Sequence, residues 1–172
     1  SMTKKTEFNI VYLSLGSNVG DKFLHLSNAI KQLRNVGMTD KISPVFETKP
    51  WGFDSNNKFY NIVIKFITHL SPNELLKKIK EIEIKLGRTQ KTHNKCYSDR
   101  TIDIDILFYN NIILSSEELI IPHPLLTERD FVLIPLHCIE PDLVHPVLKK
   151  TIKLLCEEYK NSEIKQLNKQ LF

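Results

Sequence analysis

The stretch Arg100-Thr101-Ile102-Asp103-Ile104-Asp105-Ile106-Leu107 alternates apolar and polar side chains with a period of two. Only an extended strand keeps residues two apart on one face. Ile102, Ile104, Ile106 and Phe108 are therefore expected to point into a core, with Asp103 and Asp105 side by side on the opposite face. The chain must build a sheet that is greasy on one side and carries two adjacent carboxylates on the other. Such carboxylates repel each other unless a cation lies between them. A hard cation such as Mg²⁺, held by one or two carboxylates plus substrate phosphates, meets that need. A solvated polar face is the plainer alternative.

The rest of the chain alternates strand and helix signals. Phe8 to Leu15 is rich in β-formers and ends at the turn Gly16-Ser17-Asn18. Asp21 can cap a helix whose apolar positions are Phe23, Leu26, Ile30 and Leu33. Lys41 to Thr48 reads as a strand interrupted by Pro44, and Phe59 to Thr68 as a strictly alternating one. Ser71-Pro72-Asn73-Glu74 combines a capping box with proline at the first helical position. The stripe Leu75, Ile79, Ile82 and Leu86 follows, and Gly87 stops the helix. With the aspartate strand this gives βαββαβ, the α+β, ferredoxin-like order. The expectation is an antiparallel sheet with both helices on one face and the other face free for ligand. A short strand near Ile112–Leu114, a proline-rich loop and a helix near Phe131–Ile139 should follow.

Several further residues point to chemistry. Glu83 falls within the apolar arc of its helix, so its carboxylate either snorkels at the edge or aims at something specific. Arg88 opens a basic loop with Lys91, His93, Lys95 and Arg100 that feeds into the aspartate strand, an arrangement suited to polyphosphate. Phe59 and Asn61 share a strand face and could stack on and hydrogen-bond a flat heterocycle, with Trp51 in the preceding loop. Pro122-His123-Pro124 holds a histidine in extended backbone, with Arg129 and Phe131 close behind.

Of 24 basic residues only four are arginine, at positions 34, 88, 100 and 129. Arginine is the better residue where a rigid fork must grip phosphate. The net charge of +4 suits an anionic ligand without demanding one. Cys96, Cys138 and Cys156 are odd in number and widely spaced, which argues against a disulfide framework and for a reducing cytoplasm. No stretch is apolar enough for a membrane span. Ser1 ahead of Met2 reads as a cloning remnant, so residues 1–7 are expected to be a tag or disordered. No P-loop, dinucleotide fingerprint or nucleophile elbow is present.

Taken in order, Leu15-Gly16-Ser17-Asn18, Glu47-Thr48-Lys49-Pro50-Trp51-Gly52, Phe59-Tyr60-Asn61, Arg100-x-x-Asp103-Ile104-Asp105, Ile121-Pro122-His123-Pro124 and Arg129-x-Phe131-Val132-Leu133 resemble the 6-hydroxymethyl-7,8-dihydropterin pyrophosphokinases. The resemblance implies transfer of pyrophosphate from ATP to the pterin hydroxymethyl group, with release of AMP, in folate synthesis. It assigns Asp103 and Asp105 to two Mg²⁺ ions and Arg88 and Arg100 to the phosphates during transfer. Glu83 would meet the ribose, Ile106 the adenine, and His123 and Arg129 further nucleotide groups. Phe59 and Phe131 would sandwich the pterin, with Asn61 and the backbone from Thr48 through Lys49 to Trp51 reading its edge. Residues 8–148 would form the catalytic domain; 149–172 lie outside the likeness, and the apolar stripe Ile152, Leu155, Cys156 and Tyr159 reads as a helical extension packed on it. Possible association with other folate-pathway enzymes follows from the same likeness. Departures are Cys96, Ser98 and Asp99 before Arg100, and Lys49 and Phe59 where relatives carry proline and tyrosine. An RNA-binding module is the competing reading. It lacks the expected aromatic motif and would put two aspartates on the binding sheet, so no nucleic-acid partner is expected.

Overall fold

A computed structural model describes residues 7–49, 57–87 and 101–172. The expected tag at the extreme N-terminus falls largely outside them, as do Trp51, Arg88, Arg100 and the basic loop between the two arginines. Along the chain come β1 (Asn9–Ser17), α1 (Lys22–Leu33), β2 (Met38–Ile42), β3 (Phe46–Thr48), β4 (Phe59–Thr68), α2 (Pro72–Lys85) and β5 (Asp103–Tyr109). A small antiparallel ladder, β6 (Leu114–Ser115) with β7 (Ile120–Ile121), leads to α3 (Asp130–Ile139). The chain ends through α4 (Ile152–Leu155), a 3₁₀ turn and β8 (Lys165–Gln166).

The main sheet runs β5-β1-β4-β3-β8, with β2 also on β4, and every pairing is antiparallel. Local chemistry sets the helix ends as the sequence implies. The Asp21 carboxylate accepts the Leu24 N–H, Ser71 and Glu74 form a reciprocal capping box, and Gly87 adopts φ +103° just past α2. Alternation sends Val11, Leu13, Leu15, Ile62, Ile64, Phe66, Ile104 and Ile106 to one face. There they pack against the α1 stripe Leu26, Ala29, Ile30 and Leu33 and the α2 stripe Leu75, Ile79 and Ile82.

Four expectations need correction. First, the opposite face is only half open. Tyr12, Val63, Leu107 and Phe108 are covered by Val132, Leu133 and Leu136 of α3 and by Ile152 of α4, a second core. The α3 segment is apolar enough to need burial on a sheet. Second, Phe108 does not share the isoleucine face. The β1–β5 register slips, pairing Tyr12 with Phe108 but Leu13 with Ile106. The extra residue, Leu107, is a β-bulge that turns Phe108 toward α3 and Tyr109 toward the first core. The Tyr109 hydroxyl then donates to the Leu70 carbonyl.

Third, the expected strand Lys41–Thr48 is two strands broken at Ser43-Pro44, because proline has no N–H for the ladder. Ser43 repairs the break: its N–H donates to Val63 O at 2.9 Å, and its hydroxyl accepts the Val63 N–H at 2.9 Å. Fourth, residues 149–172 are not one helix. The apolar stripe ends at Tyr159, after which the chain runs extended and adds β8 to the β3 edge.

Candidate active site

Where α3 leaves the second face uncovered, the sheet forms the floor of a cleft. It is lined by Ser14, Leu15, Gly16, Thr48, Lys49, Phe59, Asn61, Asp103, Asp105, Arg129 and Phe131. Its floor follows from register. Gly16 lies between Asn61 of β4 and Asp103 of β5, and Ser14 between Val63 and Asp105. The two carboxylates therefore project from one face of the edge strand β5, as the alternation requires.

One side of the cleft is built for a flat ring. Asn61 is buried, and its Nδ2 donates to Thr48 Oγ1 at 3.0 Å, which fixes the plane of the amide. A Cβ added at Gly16 would stand 2.9 Å from Asn61 Oδ1 and 3.5 Å from Phe59 Cδ1, so glycine is what lets the amide and the ring lie flat on the floor. Phe59 and Phe131 enter from β4 and from the first turn of α3.

The other side is charged. Arg129, just before α3, is 4% exposed, and its Nη1 lies 3.9 Å from Asp105 Oδ2. Its guanidinium also sits 5.6 Å from the centroid of the Phe131 ring. Burial pushes the Arg129 pKa down to about 10, which leaves it charged at neutral pH. A buried guanidinium thus stands beside Asp105.

Eight of the expected site residues thus meet in one cleft: Thr48, Lys49, Phe59, Asn61, Asp103, Asp105, Arg129 and Phe131. Three stand elsewhere. Glu83, buried on α2, aims its Oε2 at β5 and accepts the Ile104 N–H at 3.0 Å, satisfying a backbone donor on the outer edge of the sheet. Ile106 lies in the core between sheet and helices.

His123 docks beside β5, where its N–H donates to Leu107 O at 3.0 Å. Its Nδ1 accepts the Leu125 N–H at 3.1 Å, so the proton of the neutral ring is on Nε2. Burial holds its pKa below the ordinary value, partly offset by the nearby Asp103 charge. Ser14 was given no role from sequence, and Gly16 was read as opening a turn, whereas β1 continues through Ser17 and keeps Gly16 on the ladder. Their signal is present in the alternation of β1, where they interleave with the core residues Leu13 and Leu15.

Similarity to known proteins runs along most of the chain. The family model described as 7,8-dihydro-6-hydroxymethylpterin-pyrophosphokinase matches residues 12–141. The 2-amino-4-hydroxy-6-hydroxymethyldihydropteridine pyrophosphokinase of Aquifex aeolicus is 44% identical over 143 residues, covering 83% of this chain and 88% of that protein. The protein of the same name from Porphyromonas gingivalis is 46% identical over 139 residues, covering 80% and 94%. The folic acid synthesis protein FOL1 of Dictyostelium discoideum is 45% identical over 143 residues, and the chain spans only 21% of its length. A crystal structure of Plasmodium falciparum HPPK-DHPS with pteroate superposes with a TM-score of 0.76 at 19% identity, covering 95% of this chain and 48% of that one. That likeness speaks for the fold alone.

Proposed function

The chain belongs to the 7,8-dihydro-6-hydroxymethylpterin-pyrophosphokinase family, and we propose that it transfers the β,γ-pyrophosphoryl group of ATP to 6-hydroxymethyl-7,8-dihydropterin in folate synthesis. The pterin hydroxyl oxygen bonds to the β-phosphorus, the bond from that phosphorus to the oxygen bridging toward the α-phosphate breaks, and AMP leaves with that oxygen. The hydroxyl proton passes to solvent. The observation that carries this reading is the single cleft that sets a ring-binding side against a carboxylate pair and a buried arginine.

Such a transfer asks mainly for positioning and charge stabilisation, so no side-chain nucleophile is needed. Phe59 and Phe131 would hold the ring faces, and the Asn61 amide, fixed by Thr48, would read the ring edge. Arg129 would face the nucleotide. Arg88 and Arg100, outside the described residues, are assigned to the phosphates through the family resemblance. The same resemblance alone assigns Glu83 to the ribose, Ile106 to the adenine and His123 to the nucleotide, since all three stand outside the cleft, Ile106 with its side chain in the core and Glu83 on the Ile104 N–H. Asp103 and Asp105 suit Mg²⁺: they are hard oxygen donors on one strand face, and Mg²⁺ completes its shell with water and phosphate. Two ions are assigned to them, which would supply charge neutralisation along the triphosphate.

The strand order and the two helices on one face support a ferredoxin-like fold. Residues 8–148 would carry the reaction, and 149–172 would extend the same body. Among the described residues no helix is long and apolar enough to cross a membrane, and a cytoplasmic setting fits the cysteine usage. The chain spans 21% of the folic acid synthesis protein FOL1 of Dictyostelium discoideum, which supports association with other folate-pathway enzymes.

The test is AMP formation from ATP and Mg²⁺ with and without the pterin. Pterin-dependent AMP without ADP is expected. Asp103→Ala and Asp105→Ala should each lower turnover at least about 100-fold; the melting temperature should hold for Asp103→Ala, whose carboxylate faces the cleft, and fall for Asp105→Ala, which takes a carboxylate from the buried Arg129. ADP as product, or AMP release indifferent to pterin, would refute the assignment.

A further inference from the structure

The two walls of the cleft come from distant parts of the chain. One is β3, three residues long, which leads into Thr48 and Lys49. The other is the start of α3, which carries Arg129 and Phe131 and has no side-chain cap. One segment touches both, and it lies beyond the region matched by the family.

Ser162 Oγ donates to Asp130 Oδ2 at 2.7 Å, and Asp130 sits between Arg129 and Phe131. Tyr159 OH donates to Thr127 O at 2.7 Å, in the 3₁₀ turn that delivers Arg129. A few residues on, Lys165 and Gln166 pair with Glu47 and Phe46 of β3, and the Leu167 N–H donates to Val45 O at 2.8 Å. The short span between is tightened by the Ile164 N–H, which donates to Ser162 Oγ at 3.3 Å. The far end is tied down as well. Leu167 and Leu171 pack on the first core, and Arg34 lies 5.2 Å from the centroid of the Phe172 ring.

We infer that residues 159–167 form a strap that sets the spacing of the two ring-binding walls, with Ser162 and Tyr159 as positioning residues for the pterin. The inference rests on reading the cleft as the pterin site. The strap makes its contacts at β3 and at the entry to α3, whereas Asp103 and Asp105 are on the opposite edge strand. Its loss should therefore weaken pterin handling more than nucleotide handling, which it reaches only through Arg129.

The experiment uses the full chain with Ser162→Ala, Tyr159→Phe and the hydroxyl-retaining Ser162→Thr. Pterin affinity is measured by fluorescence titration, KM separately for pterin and ATP, and amide hydrogen exchange on the ligand-free protein. A charge-assisted hydrogen bond is the stronger kind, so Ser162→Ala should raise the pterin Kd and KM roughly five- to tenfold. KM for ATP should hold within about twofold, and Ser162→Thr should restore the parent values. Tyr159→Phe should act in the same direction, less strongly. Exchange should speed up both in β3 and in the first turn of α3.

A Ser162→Ala protein that melts lower but keeps its pterin Kd overturns the strap, as do parallel rises in both KM values or unchanged exchange in either wall. If the parent protein binds no pterin, the functional reading falls instead, and hydrogen exchange alone decides the strap.

Discussion

Gly16→Ala isolates the ring-binding floor from everything else the cleft does. The new methyl would sit 2.9 Å from Asn61 Oδ1, so the amide must retreat about 0.5 Å to reach ordinary contact. The atom that must move is the end of a side chain, and Gly16 has no positive φ to strain. The backbone should stay in place. What is lost is the 3.0 Å bond from Asn61 Nδ2 to Thr48 Oγ1, worth about 0.5–1.5 kcal/mol. Replacing glycine returns about 0.4–1 kcal/mol through the unfolded chain. Net stability should change by about 1 kcal/mol or less, a melting shift of under ~4 °C for a chain of this size. Pterin affinity should fall about tenfold, because the amide no longer presents its fixed edge.

Thermal melts with pterin titrations measure both quantities. In an Asn61→Ala background, Gly16→Ala should have almost no further effect on pterin binding, since the clash has been removed. Unchanged pterin affinity in the single variant, or a large additional loss in the double variant, would refute the reasoning.

Two other perturbations test placements that the fold makes specific. Glu83→Ala should cost about 1–3 kcal/mol of stability by leaving the Ile104 N–H without its carboxylate partner; a chemical-denaturation midpoint that stays put while KM for ATP rises would place the carboxylate on the nucleotide instead. His145 Nδ1 accepts the Val147 and Leu148 N–H groups at 3.2 and 3.1 Å, and burial holds its pKa below the ordinary 6.5. The unfolded chain then takes up the proton first as pH falls through 6.5, so stability should decline below that pH and be fully present above it. His145→Asn, which keeps an acceptor near the Nδ1 position, should flatten that decline in melts between pH 7 and 5.5.

Period-two patterning was enough to place β4 at Phe59–Thr68 and to put Asp103 and Asp105 on one face, because alternation is a local property of a strand. Caps were equally legible: Asp21, Ser71 and Glu74 act on groups within three residues of themselves. The bulge at Leu107 was not legible, since a register slip depends on what β1 offers across the ladder. Nor was the burial of half the second face, which requires knowing that α3 folds back onto Tyr12 and Val63. Glu83 stood out as an anomaly from its apolar surroundings, yet its partner is a backbone N–H, which no sequence displays. The short ladder residues Ile120–Ile121 and Lys165–Gln166 carry too little pattern to announce themselves.

The slip at Leu107 divides one ribbon into two regions with independent tasks. Ahead of it, odd-numbered positions face the cleft and carry charge; beyond it, the parity reverses, and the same face is finished by Leu107 and Phe108 against α3. Deletion of Leu107 would restore continuous alternation and leave Phe108 and Tyr109 opposite Tyr12 and Val11, at the cost of one side chain from the second core. Substitutions that only repack the α3 end likewise leave the carboxylates in place. The strand can therefore drift in sequence at its anchored end while its reactive end stays in phase.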